Sequence, residues 1–212
     1  MEKTLSHMHE MMTSYPTERL LLNEITHRVN NELATAIAIA SVEIALAKSE
    51  EIKRSVARVK RSLEGFARVH QALCVPDLRT RVDACAYLRA LCGAISGARL
   101  EPFGIQLQFV EKPLRMDSEH CWKLGMIVCE LVTNAGRHAF AKHSGTITVE
   151  TWCADSAVRC SVSDNGGGAQ LNGRGLGLRI VEALLRDLDG RLEAQSSAAG
   201  SMFTVSFPEA GD

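Results

Sequence analysis

Ile52, Val56, Val59, Leu63, Phe66, His70 and Leu73 follow one another at alternating spacings of four and three residues. This is a heptad seam with one polar member. It constrains the chain strongly, because a helix carrying such a seam must lay it against another helix. Upstream, from Pro16 to about Lys48, there is no glycine and no further proline, and Leu22, Ile25, Val29, Leu33, Ala36 and Ile37 recur at helical spacing. Pro16 suits the first turn of that helix, and Glu18 suits its positive end. Residues 1–15, polar and rich in Met and His, are expected as a flexible N-terminus or a short helical extension. The polar break "KSEE" supplies Ser49 as cap of the second helix, with Glu50 and Glu51 in its first turn. Two such helices with a short link form an antiparallel hairpin over residues 16–76. A lone hairpin buries little core, so the seam predicts a four-helix bundle with a second copy, a homodimer.

Composition narrows what the remainder can be. The chain has 212 residues and is 46% apolar, enough for a second domain with a real core. Its net charge is −1, which provides no global field for holding nucleic acid or an anionic membrane. The seven cysteines, Cys74, Cys85, Cys92, Cys121, Cys129, Cys153 and Cys160, form no C-x-x-C pair, so no zinc site is expected. The first twenty residues lack an apolar signal core, and no run of about 18 apolar residues is evident. The expectation is a soluble, cytoplasmic protein.

"CVPDLRT", Cys74 to Thr80, reads as the loop between domains, and the texture changes after it. "VDACAYLRALCGAIS" reads as a helix, and "IQLQFV", Ile105 to Val110, alternates as a strand does. "DSEHCWKLGMIVCELVTNAGRHAF" is a long amphipathic helix with Asp117 or Ser118 as cap, and "TITVETW" and "VRCSVSD" are two strands. "DNGGGAQLNGRGLGL" is a glycine-rich loop opening the helix "LRIVEALLRDLDG", followed by strands "RLEAQSS" and "SMFTVSFP". Runs of strands with few helices between them predict an α+β sandwich over residues 81–208, one mixed sheet with helices on one face. Trp122 and Trp152 adjoin apolar runs and read as packing residues.

Two stretches carry chemistry. Gly166, Gly167, Gly168, Gly173, Gly175 and Gly177 fall within fourteen residues, just after a strand that ends in Asp164. Glycines let backbone N–H groups approach a ligand, and a glycine-rich loop running into a helix N-terminus suits phosphate. There is no Gly-Lys-Ser/Thr, and no βαβ unit in the order a dinucleotide fingerprint requires. On the preceding helix, Glu130, Asn134 and His138 are spaced by four and share one face, with Arg137 beside them. A carboxylate, an amide, a guanidinium and an imidazole on one stripe suit Mg²⁺ and a polyphosphate.

"ELVTNAGRHA" resembles the N-box of the GHKL ATPases, the superfamily that includes gyrase and the histidine kinases. "DNGGG" resembles its first glycine box, "GRGLGLRIV" its second, and "GSMFTVSFP" its closing strand motif, with Ser201 in place of Thr. The four occur in the family's order. "EITHRVNNEL" resembles the H-box of sensor histidine kinases, in the subgroup reading His-Arg-Val-x-Asn-x-Leu. "RVHQALC" is similar to the end of that subgroup's second helix, so the resemblance spans about residues 18–208. Cys129 and "SVSDNG" stand where the related HWE subgroup has its His and Trp-x-Glu, which sets this chain apart from it.

The resemblance implies a Bergerat-type ATP-binding sandwich behind a dimerisation hairpin, and a kinase that autophosphorylates His27. At 100° per residue His27 lies about 200° around the helix from Ile25 and from Val29, away from the apolar stripe. Histidine as a residue type keeps a nucleophilic ring nitrogen near neutral pH. Glu24 and Asn31 lie on its side of the helix, and Glu24 is the candidate base. By resemblance, Asp164 binds the adenine amino group with Ser201 in support, and Asn134 holds Mg²⁺. Arg137 and His138 lie near the phosphates, and Glu130 polarises the reaction centre. Gly166, Gly168, Gly173, Gly175 and Gly177 shape the pocket and lid. ATP and Mg²⁺ are the implied cofactors, and a response regulator receiver domain is the implied partner.

Two departures bear on this. Only Ala169 to Asn172 separate the glycine boxes, a short lid. Fewer than 20 residues precede the first helix, too few for a sensor module, which implies a separate sensor protein. The alternative reading is an ATP-independent histidine phosphotransfer protein with a kinase-like fold. The short lid favours it, and Asn134 and Asp164 oppose it. A GHKL serine kinase or plain ATPase is a third reading, opposed by the H-box hairpin.

Overall fold

The computed structural model describes residues 2–73, 81–140, 143–167 and 175–209, with side chains from 24 onward. The chain divides into two compact units, Met1–Cys74 and Val75–Asp212.

The first unit is a helical hairpin of α1 (Glu2–Leu46) and α2 (Glu50–Ala72). Ser49 caps α2 as expected, its Oγ accepting from the Glu51 N–H at 3.2 Å. Ahead of Pro16 the chain takes the helical-extension form: α1 begins at Glu2, and Pro16 lies inside it. The stretch ahead of Pro16 holds no glycine, and its Glu, Lys, Leu and Met residues are strong helix formers. A difference from the sequence reading concerns hydropathy. Within α1, Glu24–Leu46 has a mean hydropathy of 1.3, long and apolar enough by length and composition to cross a membrane. Alanines interleaved with isoleucines raise this average with no unbroken bulky run.

Little of this hairpin is covered by its own two helices. Val69, Gly65 and Ala40 are buried, whereas Ile39, Val42, Leu46, Ile52 and Val59 are each more than half exposed. Of the seam, Ile52, Val59, Phe66 and His70 all face outward.

The second unit is a five-stranded sheet with helices on one face. Its strands are β2 (Ile105–Val110), β4 (Gly145–Ala154), β5 (Ala157–Asp164), β6 (Arg191–Ser197) and β7 (Gly200–Pro208), in the order β2-β4-β5-β7-β6. β2 pairs parallel with β4 and every other pair is antiparallel, the mixed sheet the pattern predicted. Its helices are α3 (Ala84–Ile95), α4 (Ser118–His138) and α5 (Leu176–Asp187). Ile147, Val149, Val158, Cys160, Val162, Val205 and Phe207 are buried on the sheet. They pack with Leu88, Leu91, Ile95, Leu124, Ile127, Val128, Val181 and Leu185, buried on the helices.

Two features had no counterpart in the sequence reading. β1 (Arg81–Asp83) and β3 (Arg115–Asp117) form a separate two-stranded antiparallel sheet. Its strands lead directly into α3 and α4, whose caps are Asp83, accepting from the Ala86 N–H at 3.0 Å, and Asp117, accepting from the Glu119 N–H at 2.7 Å. Between α3 and β2 the chain forms a π-helical turn, Ser96–Leu100, and a 3₁₀ turn, Glu101–Phe103.

The core holds most of the described cysteines. Burial pushes the Cys92 and Cys121 thiols up to about 12, and raises those of Cys129 and Cys160 as well. Cys153 is the exposed one among the described cysteines. At pH 8, Ellman's reagent is expected to modify Cys153 well before these four, which react fully only in guanidinium. Rapid native modification of Cys92 or Cys121 would contradict the packing. The folded state holds these thiols protonated, and unfolded cysteine titrates near 8.5. Their contribution is therefore complete below that pH and falls as pH rises toward 12. Melting temperature is expected to decline progressively above about pH 9.

Candidate functional site

α4 supplies one wall of the site. Its buried side, with Leu124, Ile127, Val128 and Leu131, packs into the core. Glu130 and Asn134 lie half-buried at the border of that side, and Arg137 and His138 are exposed at the C-terminal end.

The turn after β5 is tied to that end. The Gly167 N–H donates to the Ala139 carbonyl at 2.9 Å, and Gly166 sits so close to the same carbonyl that a side chain there would overlap it. Asn165 donates its N–H to the Thr146 carbonyl at 3.2 Å and accepts from the Thr146 N–H at 2.8 Å through Oδ1, fixing the turn to β4. Within the turn, Asp164 Oδ1 accepts from the Gly166 N–H at 3.0 Å and from the Ser201 N–H at 3.4 Å. Asp164 is thus held by the chain on both sides. Ser201 is buried, with its Oγ 3.3 Å from Ser196 Oγ. The support Ser201 gives Asp164 directly is its backbone N–H, a link that the residue type did not signal.

The third wall is the N-terminus of α5, capped by Gly175. Gly177, in its first turn, backs onto α4: a methyl group there would stand 2.7 Å from Glu130 Oε2 and 3.4 Å from Asn134 Nδ2. The backbone N–H groups that open this twelve-residue helix therefore lie near the carboxylate and amide of α4. No acidic residue occupies the first turn of α5 to neutralise its positive end.

The structure thus brings Glu130, Asn134, Asp164, Gly166, Gly177 and Ser201 into one locality, with Arg137 and His138 at its edge. Gly168 and Gly173, and the short segment Ala169 to Asn172, lie outside the described residues. The sequence reading missed Gly200, whose φ of +134° places its Cα against the Asp164 carbonyl. Its position directly before Ser201, where the strand β7 opens, was the available signal.

These groups fit a magnesium nucleotide. Asp164 offers a carboxylate with one oxygen already fixed. Asn134 and Glu130 offer hard oxygens of the type Mg²⁺ takes. The α5 terminus offers backbone N–H groups to phosphate, and Gly177 keeps the space beside them clear.

In the first unit His27 is exposed on α1, as its helical angle predicted. Glu24 is engaged elsewhere: its Oε1 accepts from Arg28 Nε at 2.8 Å. That hydrogen bond and the adjoining guanidinium charge hold the Glu24 carboxyl below its ordinary range. Arg28, inside the quoted motif, was not singled out from the sequence.

Residues 24–98 match the family model described as histidine kinase, and residues 122–211 match that of the histidine kinase-, DNA gyrase B- and HSP90-like ATPases. The chain is similar to blue-light-activated histidine kinase 2 of Erythrobacter litoralis, 25% identical over 201 residues covering 88% of this chain and 56% of that protein. Sensor histidine kinase PdtaS of Mycolicibacterium smegmatis is 27% identical over 202 residues, covering 87% of this chain and 38% of that protein. The chain therefore spans 38% to 56% of the length of these curated relatives. Among solved structures, the histidine kinase domain of the Erythrobacter litoralis blue-light-activated kinase superposes with a TM-score of 0.61 at 20% identity, covering 87% of this chain and 96% of that one. Acinetobacter baumannii histidine kinase AdeS gives a TM-score of 0.53 at 18% identity, covering 85% and 98%. At these identities the superpositions speak for the fold.

Proposed function

We propose, from the premise that this chain carries both domains of a histidine kinase of the GHKL superfamily, that it is an ATP-dependent protein histidine kinase. It phosphorylates its own His27 and passes the phosphoryl group to an aspartate in the receiver domain of a response regulator. One observation carries this: a single chain joins an exposed histidine on a helical hairpin to a unit in which α4, the Asp164 turn and the α5 N-terminus converge.

Residues 16–76 serve as the dimerisation and phosphotransfer hairpin, in the His-Arg-Val-x-Asn-x-Leu subgroup, and residues 81–208 as the catalytic domain. A second copy covers the outward Ile39, Val42, Ile52 and Val59, completing a four-helix bundle. Use of ATP places the catalytic domain on the cytoplasmic side.

Bound magnesium ATP supplies the phosphoryl group and neutralises its charge. Asp164 accepts the adenine amino hydrogen, its carboxylate pre-set by the Gly166 and Ser201 N–H groups. Asn134 holds Mg²⁺ against the phosphates. Arg137 and His138 face the phosphate charge, and Glu130 polarises the reacting centre. Gly166, Gly168, Gly173, Gly175 and Gly177 shape the adenine pocket and the lid. His27 supplies the ring nitrogen that takes the phosphoryl group, with ADP as the leaving group. Glu24, on the same side of the helix as His27, orients the ring, as the candidate base. Positioning supplies most of the rate enhancement.

An ATP-independent relay is not favoured, since the ATPase match runs through residues 122–211, the short lid included. The test is incubation of the purified chain with Mg²⁺ and γ-labelled ATP. An acid-labile, base-stable label is expected, absent without Mg²⁺ and absent in Asn134→Ala. A folded, dimeric wild type that takes up no label would end the autokinase reading.

A further inference from the structure

α4 carries the proposed nucleotide stripe on one side and is braced on another. Cys129, Thr133 and Gly136 share a face next to that of Glu130 and Asn134, and Thr133 is buried there. The π-helical turn Ser96–Leu100 packs on this face. Arg99 Nη1 donates to Thr133 Oγ1 at 3.0 Å. Leu100, also buried, fills the space at Gly136, where a methyl group would stand 2.7 Å from Leu100 Cδ2. Burial raises the Cys129 thiol, and the nearby Arg99 guanidinium acts against that rise, which puts Arg99 within electrostatic reach of the same face.

The local backbone explains how consecutive residues reach one helix. The turn is closed by the Glu101 N–H donating to the Ser96 carbonyl, five residues back, and Ser96 Oγ donates to Glu101 Oε1 at 3.0 Å. A π turn inserts one residue into a helical path, and such turns recur at functional sites. Here the insertion delivers Arg99 to Thr133 and Leu100 to Gly136. Thr133 immediately precedes Asn134, so a rotation of α4 that broke the Arg99 bond would swing Asn134 by the same angle.

We propose that Arg99 is a positioning residue for phosphoryl transfer. Through Thr133 it sets the rotation of the last two turns of α4, and with it the aim of Asn134 and Glu130 at Mg²⁺ and phosphate. This rests on the ATP-binding reading of the site.

The experiment compares wild type with Arg99→Lys, which keeps the charge, Thr133→Val, which keeps the shape, and the double variant. Three quantities are read: autophosphorylation rate against Mg²⁺ concentration, nucleotide affinity without Mg²⁺, and melting temperature. Each single variant is expected to lower the maximal rate about tenfold and raise the half-maximal Mg²⁺ concentration about tenfold. Mg²⁺-free affinity should stay within about twofold, because Asp164 is untouched, and the double variant should be no worse than the worse single one. Unchanged Mg²⁺ dependence, or rate and affinity falling together in step with melting temperature, would overturn the proposal and leave the site reading intact. A wild type that binds no nucleotide would overturn both.

Discussion

Replacing His27 with glutamine is expected to reduce acid-labile phosphate on the chain to background, while nucleotide binding in the second unit is unchanged. His27 is exposed on α1, so the substitution removes no packing. Glutamine is a good helix former, and the Glu24–Arg28 pair that spans this turn stays in place. Melting temperature should therefore barely move, in keeping with surface substitutions worth about 0.5 kcal/mol or less. An amide has no lone pair able to attack phosphorus, so the loss is chemical and not conformational. His70 is the internal control. It too is exposed, in the last turn of α2, and lies on the seam. If label persisted in His27→Gln and vanished in His70→Gln, the phosphoacceptor assignment would move to α2.

The second large effect is expected at Gly200. Its φ of +134° is open to glycine and strained for other residues, and a methyl group there would overlap the Asp164 carbonyl oxygen. Gly200→Ala must therefore both strain the β6–β7 turn and push it from Asp164. Backbone strain costs about 1–3 kcal/mol and overpacking a similar amount, so the second unit should lose about 2–5 kcal/mol to urea unfolding. The 3.4 Å bond from the Ser201 N–H to Asp164 is the first that breaks. Nucleotide affinity should fall about 100-fold, since a recognition carboxylate out of place leaves polar groups unmatched. Near-native stability with near-native affinity would show that the β6–β7 turn plays no part in holding Asp164.

The elements that the sequence revealed are those with a long period or an unmistakable cap. α2 announced itself through its seam and Ser49, β2 through alternation, and α4 through the Glu130–Asn134–His138 spacing. β1 and β3 did not, because three residues are too few for a period, and their pairing joins segments more than thirty positions apart. The start of α1 was less legible, because Pro16 suits a first turn while the Glu, Lys, Leu and Met residues ahead of it also favour helix. The π turn left no signal, because one inserted residue does not alter composition. For the same reason the Arg99–Thr133 bond and the Glu24–Arg28 pairing became visible only with coordinates. Each is a choice among several partners within reach. The glycines showed that something approaches closely. They did not show that Gly177 meets Glu130, or that Gly200 meets Asp164.

Asp164 Oδ1 serves as an architectural anchor, taking N–H groups from the turn after β5 and from the start of β7. A carboxylate restrained in this way has little rotamer freedom left to lose when a ligand arrives. If Asp164 takes the adenine amino group as proposed, that end of the site is ordered in advance, at the expense of folding and not of binding. At the other side of the site, α5 leans on α4 through Gly177, a residue with no side chain. On the proposed reading, affinity rests on the Asp164 turn and rate on α4, so selection could retune phosphoryl transfer without altering recognition of the base.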